Sequence, residues 1–275
     1  MFFLRFLVVM AFFVLVWAIT PTPDQQMNEW LNAGGIPLAI AAQPMWFFGQ
    51  SQNQPPCYPT WAIRAGKQAP GGNTCAFPEV GCHCHNPGIK IGNPGPNFPI
   101  YYTYNKCNDR EIRVAYNIFF DKDGFIGGGH RYDWERVIVV WARGPDNKWR
   151  QSRLFLSQHK GYDKKNWNDI QNTFKADDAS KPRGGENGKR GYAHPKVYVA
   201  WAKHAIYHDR NTGWNDVLSQ QLGHAFRSQD WWYYPSKGSY IRADRSTDIG
   251  RQIADLNWGD ASSTPASVHD GLCSI

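Results

Sequence analysis

The chain has 275 residues, 42% hydrophobic and 15% aromatic, which is enough apolar content to bury one sizeable core. Its net charge of +7 and pI near 9.1 favour anionic partners such as lipid head groups or nucleic acid. There is no run of five basic residues and no nucleic-acid motif, so a membrane surface is the better reading.

Residues 1–20 carry one charge, Arg5, and an unbroken apolar run from Phe6 to Trp17. That run has the length of a secretory leader's core rather than of a membrane span. Ala18-Ile19-Thr20 puts small residues where cleavage needs them, although Pro21 follows directly. The competing reading is an uncleaved anchor. We read 1–20 as a signal peptide and the protein as secreted. Six cysteines agree with export, since an even count in an oxidising compartment argues for three disulfides. A metal site in Cys82-His83-Cys84-His85 is disfavoured, because Cys-x-Cys is not a usual zinc spacing.

From Pro21 to Pro56 the sequence is mixed. Gln25 to Asn32 predicts a short helix, and Gly34 to Trp46 is apolar but broken by Pro37 and Pro44. We read 21–56 as an N-terminal arm that packs outside or tethers a domain spanning 57–275. Glycine and proline dominate Cys57 to Pro99, as in loops fixed by disulfides. Strands follow at Ile100–Asn105, Glu111–Phe120, Arg136–Arg143, Trp149–Ser157 and Lys196–Tyr207. Ile112, Val114, Tyr116 and Ile118 alternate with polar and aromatic partners, whereas Arg136–Arg143 is almost continuously apolar and predicts a central strand covered on both faces. Short helices are predicted at Trp167–Lys175, Trp214–Leu222 and Asp248–Leu256, the last capped by Ser246 or Thr247. Asp230 to Pro235 reads as a strand or an exposed aromatic loop. The fold class is all-β to α+β: a central antiparallel β-sandwich with a few peripheral helices, stabilised by disulfides.

The chemistry concentrates between Gly127-Gly128 and Val137. Gly129-His130-Arg131-Tyr132-Asp133-Trp134-Glu135 places an imidazole, a guanidinium and two carboxylates on a glycine-released turn leading into a stiff strand. If the stretch is extended, Asp133 and Glu135 share one face with Arg131, while His130, Tyr132 and Trp134 share the other. Asp121 and Asp123 lie just upstream. Oxygen ligands crowded on a turn with a single imidazole suit a hard cation, Ca²⁺ or Mg²⁺, better than zinc. The bland alternative is a salt-bridge cluster of Asp133 and Glu135 with Arg131 and Arg136.

This heptad resembles Gly-His-Arg-His-Asp-Trp-Glu, the signature of the necrosis- and ethylene-inducing-peptide-like proteins, secreted cytolysins of plant-associated microbes. Six of the seven positions agree, with Tyr132 in place of the second His. Pro56-Cys57-Tyr58-Pro59 with Cys75, Leu156 to Tyr162, Lys196 to Ala205, and Asn257 to Ala261 resemble further family segments. The resemblance implies a divalent-cation site of Asp123, His130, Asp133 and Glu135, with Asp123 and Asp133 as inner ligands. Asp121 is a substitute for Asp123, because the loop to His130 is about one residue shorter than usual. It also implies ligand-binding roles for Arg131, Trp134 and His204, a weaker one for His159, and a Cys57–Cys75 disulfide. By spacing, Cys82 and Cys84 cannot comfortably bond each other, so each is expected to pair with Cys107 or Cys273.

The function implied is a non-enzymatic cytolysin, monomeric in solution. It would bind the sugar head group of plant glycosylinositol phosphorylceramides through the cation and damage the membrane. Exposed aromatic rings near the site, such as Trp231 to Tyr234, would stack on sugar or sit in the interface. Two alternatives stand beside it: a metal-dependent hydrolase with Glu135 as base, and a non-toxic lectin-like homologue. No Ser-His-Asp motif, phosphate loop or HExxH zinc motif is present, which argues against most enzymes.

Overall fold

The computed structural model describes residues 19–49, 57–75, 83–86, 95–124, 128–158, 161–209 and 231–275. The leader residues 1–18, the helix expected at Trp214–Leu222 and His159 lie outside the described residues. In chain order the elements begin with β1 (Thr22–Pro23), α1 (Asp24–Asn32), α2 (Ile36–Ala41), β2 (Met45–Phe48), β3 (Ile63–Arg64) and β4 (Lys67–Gln68). The long strands follow: β5 (Ile100–Asn108), β6 (Glu111–Lys122), β7 (Arg131–Arg143) and β8 (Lys148–Gln158). Then come β9 (Gly161–Asn166), β10 (Thr173–Phe174), β11 (His194–Val199), β12 (Ile206–Tyr207), β13 (Trp231–Tyr233) and β14 (Tyr240–Arg242). Two helices close the chain, α3 (Asp248–Asp255) and α4 (Pro265–Gly271). Among the described residues no helix is long and apolar enough to cross a membrane.

One sheet has seven strands in the order β1-β8-β7-β6-β5-β14, with β9 also on β8. The second has five, β10-β11-β2-β13, with β12 also on β11. Their inner faces share one core in which Ile112, Val114, Val137 and Val139 meet Trp46, Phe48, Val197 and Val199. The outer face of β7 is covered as well, since Ile138 and Val140 pack with Val268 and Leu272 from the C-terminal helices. The near-continuous apolar run of β7 has this cause. The architecture is thus the expected α+β sandwich, although β11–β2 and β14–β5 pair in parallel. Thr247 caps α3 through its hydroxyl, which accepts from the Gly250 amide.

The segment expected to lie outside the domain does not. Met45–Phe48 runs between β11 and β13 as a buried interior strand, and Thr22–Pro23 adds an edge to the larger sheet. Pro37 sits in the first turn of α2, where its missing N–H costs nothing, rather than breaking the run. The disulfides also differ from expectation. Cys57 bonds Cys84, not Cys75, because the Tyr58 amide donates to the His85 carbonyl at 2.6 Å and brings the two cysteines to a Cα separation of 5.5 Å. Cys107 bonds Cys273, so neither pairs with Cys82 or Cys84. Arg113 Nη1 holds the carbonyls of Leu272 and Ile275 against β6, which brings the C-terminus to β5. Cys75 is disulfide-bonded too. Trp167–Lys175 forms only one 3-10 turn, at Trp167–Asp169, before β10.

Candidate metal centre

The turn between β6 and β7 carries the site. Asp123 and His130 exchange backbone hydrogen bonds of 2.8 and 3.2 Å, closing the hairpin above β6 and β7. Gly124 and Gly129 have φ of +84° and +87°, and a Cβ on Gly129 would overlap the Asp123 carbonyl, so only glycine fits there. The Gly124 amide donates to the Ala202 carbonyl at 2.8 Å, fastening this turn to the connection between β11 and β12. That connection is itself tight. Ala200 and Ala205 bond across it, and Ala202 and His204 take left-handed φ of +71° and +54°. Non-glycine residues in that region store strain of roughly 1–3 kcal/mol each and cluster at sites. The result is that His204, distant in sequence, points at the acidic residues of β7.

Asp133 lies opposite Phe120, and Glu135 opposite Ile118. Both carboxylates therefore face the inter-sheet core side, and both are buried rather than on an exposed loop. Asp123, Asp133 and His204 offer ligand atoms that all lie within 4.8 Å of one another. His204 Nδ1 donates to Asp133 Oδ2 at 2.9 Å and lies 3.9 Å from Asp123 Oδ1. Its ring stacks flat on Phe120 at 3.8 Å. With Nδ1 carrying the proton, Nε2 is left as a bare acceptor, buried and without a partner; Asp123 Oδ1 is likewise unpaired. His130 Nδ1 donates to the Tyr132 carbonyl at 2.8 Å, which turns Nε2 towards Asp123 Oδ2 at 3.6 Å.

The electrostatics are those of a cluster short of positive charge. Burial, and then the Asp133 carboxylate, push the Asp123 carboxyl up to about 6. Burial and then Asp133 also push Glu135 well above the usual carboxylate range. Burial pulls His130 down, but the Tyr132 carbonyl and the charges of Asp133 and Asp123 outweigh it, and its pKa is raised. Two facing carboxylates, an unpaired Asp123 oxygen and His204 Nδ1, which faces both acids and would give up its proton to ligate, form a donor set that fits a divalent cation.

The remaining expected residues are placed as follows. Glu135 sits one turn of the pleat deeper, where Ser157 Oγ donates to its Oε2 and in turn accepts from the Arg136 amide at 2.8 Å. Ser157 lies in the Leu156 to Tyr162 segment that resembles the family, and no local pattern in the sequence marks it as a partner of Glu135. Asp121 does not substitute for Asp123; it faces the other side of β6 and pairs with Arg64 at 3.0 Å. Arg136 bonds Asn117, Tyr162, Trp134 O and Ser263, and Arg131 bonds Gly71 O at 3.3 Å, so the expected salt-bridge alternative is not formed by these arginines. Trp134 does not occupy the ligand-binding position expected of it. It is 2% exposed and packs on Tyr101, Phe119 and Trp258 at 5.1 to 5.6 Å, on the face away from Asp133, so its ring is a core residue and cannot meet a ligand. Tyr132 shares that face. It adopts φ of +62° and lies 5.1 Å from Trp258 and 6.0 Å from Phe119, so the departure from the usual histidine is absorbed by an aromatic cluster.

The family description Necrosis inducing protein (NPP1) matches residues 47–233. No curated protein matches the chain significantly. Among solved structures, NLPPya in complex with mannosamine aligns at a TM-score of 0.50 and 16% identity, over 94% of this chain and 96% of that one. NLPPya in complex with glucosamine aligns at 0.49 and 16% identity, over the same shares. Non-toxic HaNLP3 aligns at 0.46 and 19%, over 82% and 83%. At 16% identity the first of these likenesses speaks to the fold alone.

Proposed function

The chain belongs to the necrosis inducing protein family, and from that premise we propose that it is a secreted effector that uses Asp123, Asp133 and His204 to hold Ca²⁺ or Mg²⁺. With that cation it binds the sugar head group of plant glycosylinositol phosphorylceramide and damages the membrane. The observation that carries the reading is the convergence of those three side chains within 4.8 Å from two separate connections of the fold.

A bound divalent cation supplies coordination positions that suit vicinal hydroxyls of an uncharged sugar. The chain's own residues do the rest. Without the cation His204 Nδ1 donates to Asp133; it would release that proton to ligate, and the flat contact with Phe120 holds its ring in place. Ser157 ties Glu135 in place behind the carboxylate pair, which keeps a further acidic group near the site without spending it on solvent. His130 lies at the rim beside Asp123, partly exposed, and Arg131 is exposed next to it, where an anionic phosphoryl group of the lipid would meet positive charge. The net charge of +7 favours the same approach to an anionic surface.

The reading is non-enzymatic. A hydrolase would need Glu135 to reach a substrate, and that residue is 6% exposed with one carboxyl oxygen engaged by Ser157. The test combines calcium and magnesium titration by calorimetry with leakage of vesicles containing or lacking the glycosylated sphingolipid. Metal binding with lipid-dependent leakage is expected. Sugar release without leakage would favour the hydrolase, and metal binding with neither would favour a non-toxic lectin.

A further inference from the structure

A cleft of about 550 Å³ opens at the other end of β7, lined by residues 20–22 at and before β1, by α1, the end of α2, the ends of β7 and β8, the turn after β10 and the start of β11. Trp141 and Asp133 are eight residues apart on this strand (141 − 133), which at roughly 3.3 Å per residue separates cleft and acidic cluster by about 26 Å. Nothing in the proposed cation site uses it. We propose that this cleft is a second, metal-independent binding site for an uncharged saccharide ring.

Three features of the lining lead there. The volume falls within the range of small-molecule sites, roughly 300–1,000 Å³. One wall is aromatic: Trp30, half-buried on α1, meets Trp141 edge to face at 6.4 Å and 78°, and indoles of this kind pack against the C–H face of a pyranose. The wall also holds buried polar atoms in need of partners. Trp141 Nε1 is a donor with none, and Gln151 Oε1 is an acceptor with none. Leaving such atoms unpaired is costly, so an apolar occupant would not suit them.

His194 adds a further acceptor. Its Nδ1 lies 3.1 Å from the Gln43 carbonyl, and since a carbonyl only accepts, Nδ1 holds the proton and Nε2 is left with its lone pair. Burial keeps this imidazole below its usual pKa, hence neutral. Gln151 Nε2 donates to the Ala41 and Ala193 carbonyls at 3.4 and 3.5 Å, which leaves Oε1 as the acceptor still to be met. At the mouth Lys175 and Asp177 contribute one charge of each sign. A lining that is neutral overall, needs both donors and acceptors, and has an indole wall matches a ring of hydroxyl groups, each of which both donates and accepts.

The test titrates methyl β-D-glucopyranoside and methyl β-D-mannopyranoside against the intact protein in EDTA, read by saturation-transfer NMR and tryptophan fluorescence. Binding of one glycoside is expected to persist in EDTA and in Asp133→Asn. It should weaken about tenfold in Trp30→Ala and in Gln151→Met, roughly the value of one stacking or hydrogen-bond contact. Circular dichroism checks the fold, and Gln151→Met keeps the side-chain volume should Trp30→Ala fail to fold. Absence of EDTA-resistant binding of both glycosides, or binding untouched by a folded variant, or binding lost in Asp133→Asn, would overturn the site. Failure of the calcium titration would leave it standing.

Discussion

Replacing Asp133 with Asn changes one charge at the centre of the acidic cluster and keeps an oxygen that accepts from His204 Nδ1. The Asp123 carboxyl is pushed up to about 6 from 3.8, and at about 1.4 kcal/mol per tenfold change in acidity this is about 3 kcal/mol against its ionised form. Burial is the first cause and the Asp133 carboxylate the second, so removing that charge recovers about 1 kcal/mol of the total. The sign follows from proton binding. Between about pH 4 and 6 the unfolded chain has released the Asp123 proton while the folded chain keeps it, so metal-free stability falls as pH rises through this window and stays reduced above it. In EDTA at pH 7.5 the variant should therefore melt about 3 °C higher than the parent, given roughly 2–4 °C per kcal/mol for a domain of this size. Calcium reverses the order. At about 100 times its dissociation constant it stabilises the parent by about 2.7 kcal/mol, whereas the variant, with affinity reduced at least about 100-fold, gains almost nothing. Calorimetric melts of both proteins in EDTA and in calcium give all four values. A variant that melts lower in EDTA and keeps the parent's calcium shift would refute the charge-deficient cluster.

Gly129→Ala forces a Cβ onto the Asp123 carbonyl at φ of +87°, so we expect a loss of about 2 kcal/mol or more in chemical denaturation together with weakened calcium binding. Tyr132→His, which restores the family's usual residue, removes ring contacts with Trp258 and Phe119; it should cost about 1 kcal/mol in the same assay and leave calcium affinity unchanged within twofold. The Cys107–Cys273 bond spans 166 residues and Cys57–Cys84 spans 27. The loop-entropy relation gives about 5 and about 3.5 kcal/mol, so a double Ser variant of the first pair should unfold at lower urea than one of the second.

Where local pattern coincided with a stretch of chain, the sequence was readable. Alternation in Glu111–Phe120 and the unbroken apolar run of Arg136–Arg143 marked β6 and β7, because side-chain direction repeats every two residues whatever surrounds the strand. The heptad marked Asp133, His130 and Glu135 as candidates, since a hairpin with glycines at Gly124 and Gly129 keeps these acidic and imidazole groups close in sequence. What needed the tertiary structure is everything that depends on which segments become neighbours. Met45–Phe48 looks like any short apolar run until β11 and β13 flank it. The partner of Cys57 follows from the Tyr58–His85 backbone bond, which no spacing encodes. Trp134 and Asp133 are adjacent in the chain yet face opposite sides of one sheet, one into the Trp258 cluster and the other towards His204. His204 reaches that carboxylate only because the Gly124–Ala202 bond fastens two distant turns together. Residue type and period are local properties of the chain, whereas partnership is set by packing two sheets against each other, and the latter decides which donors converge.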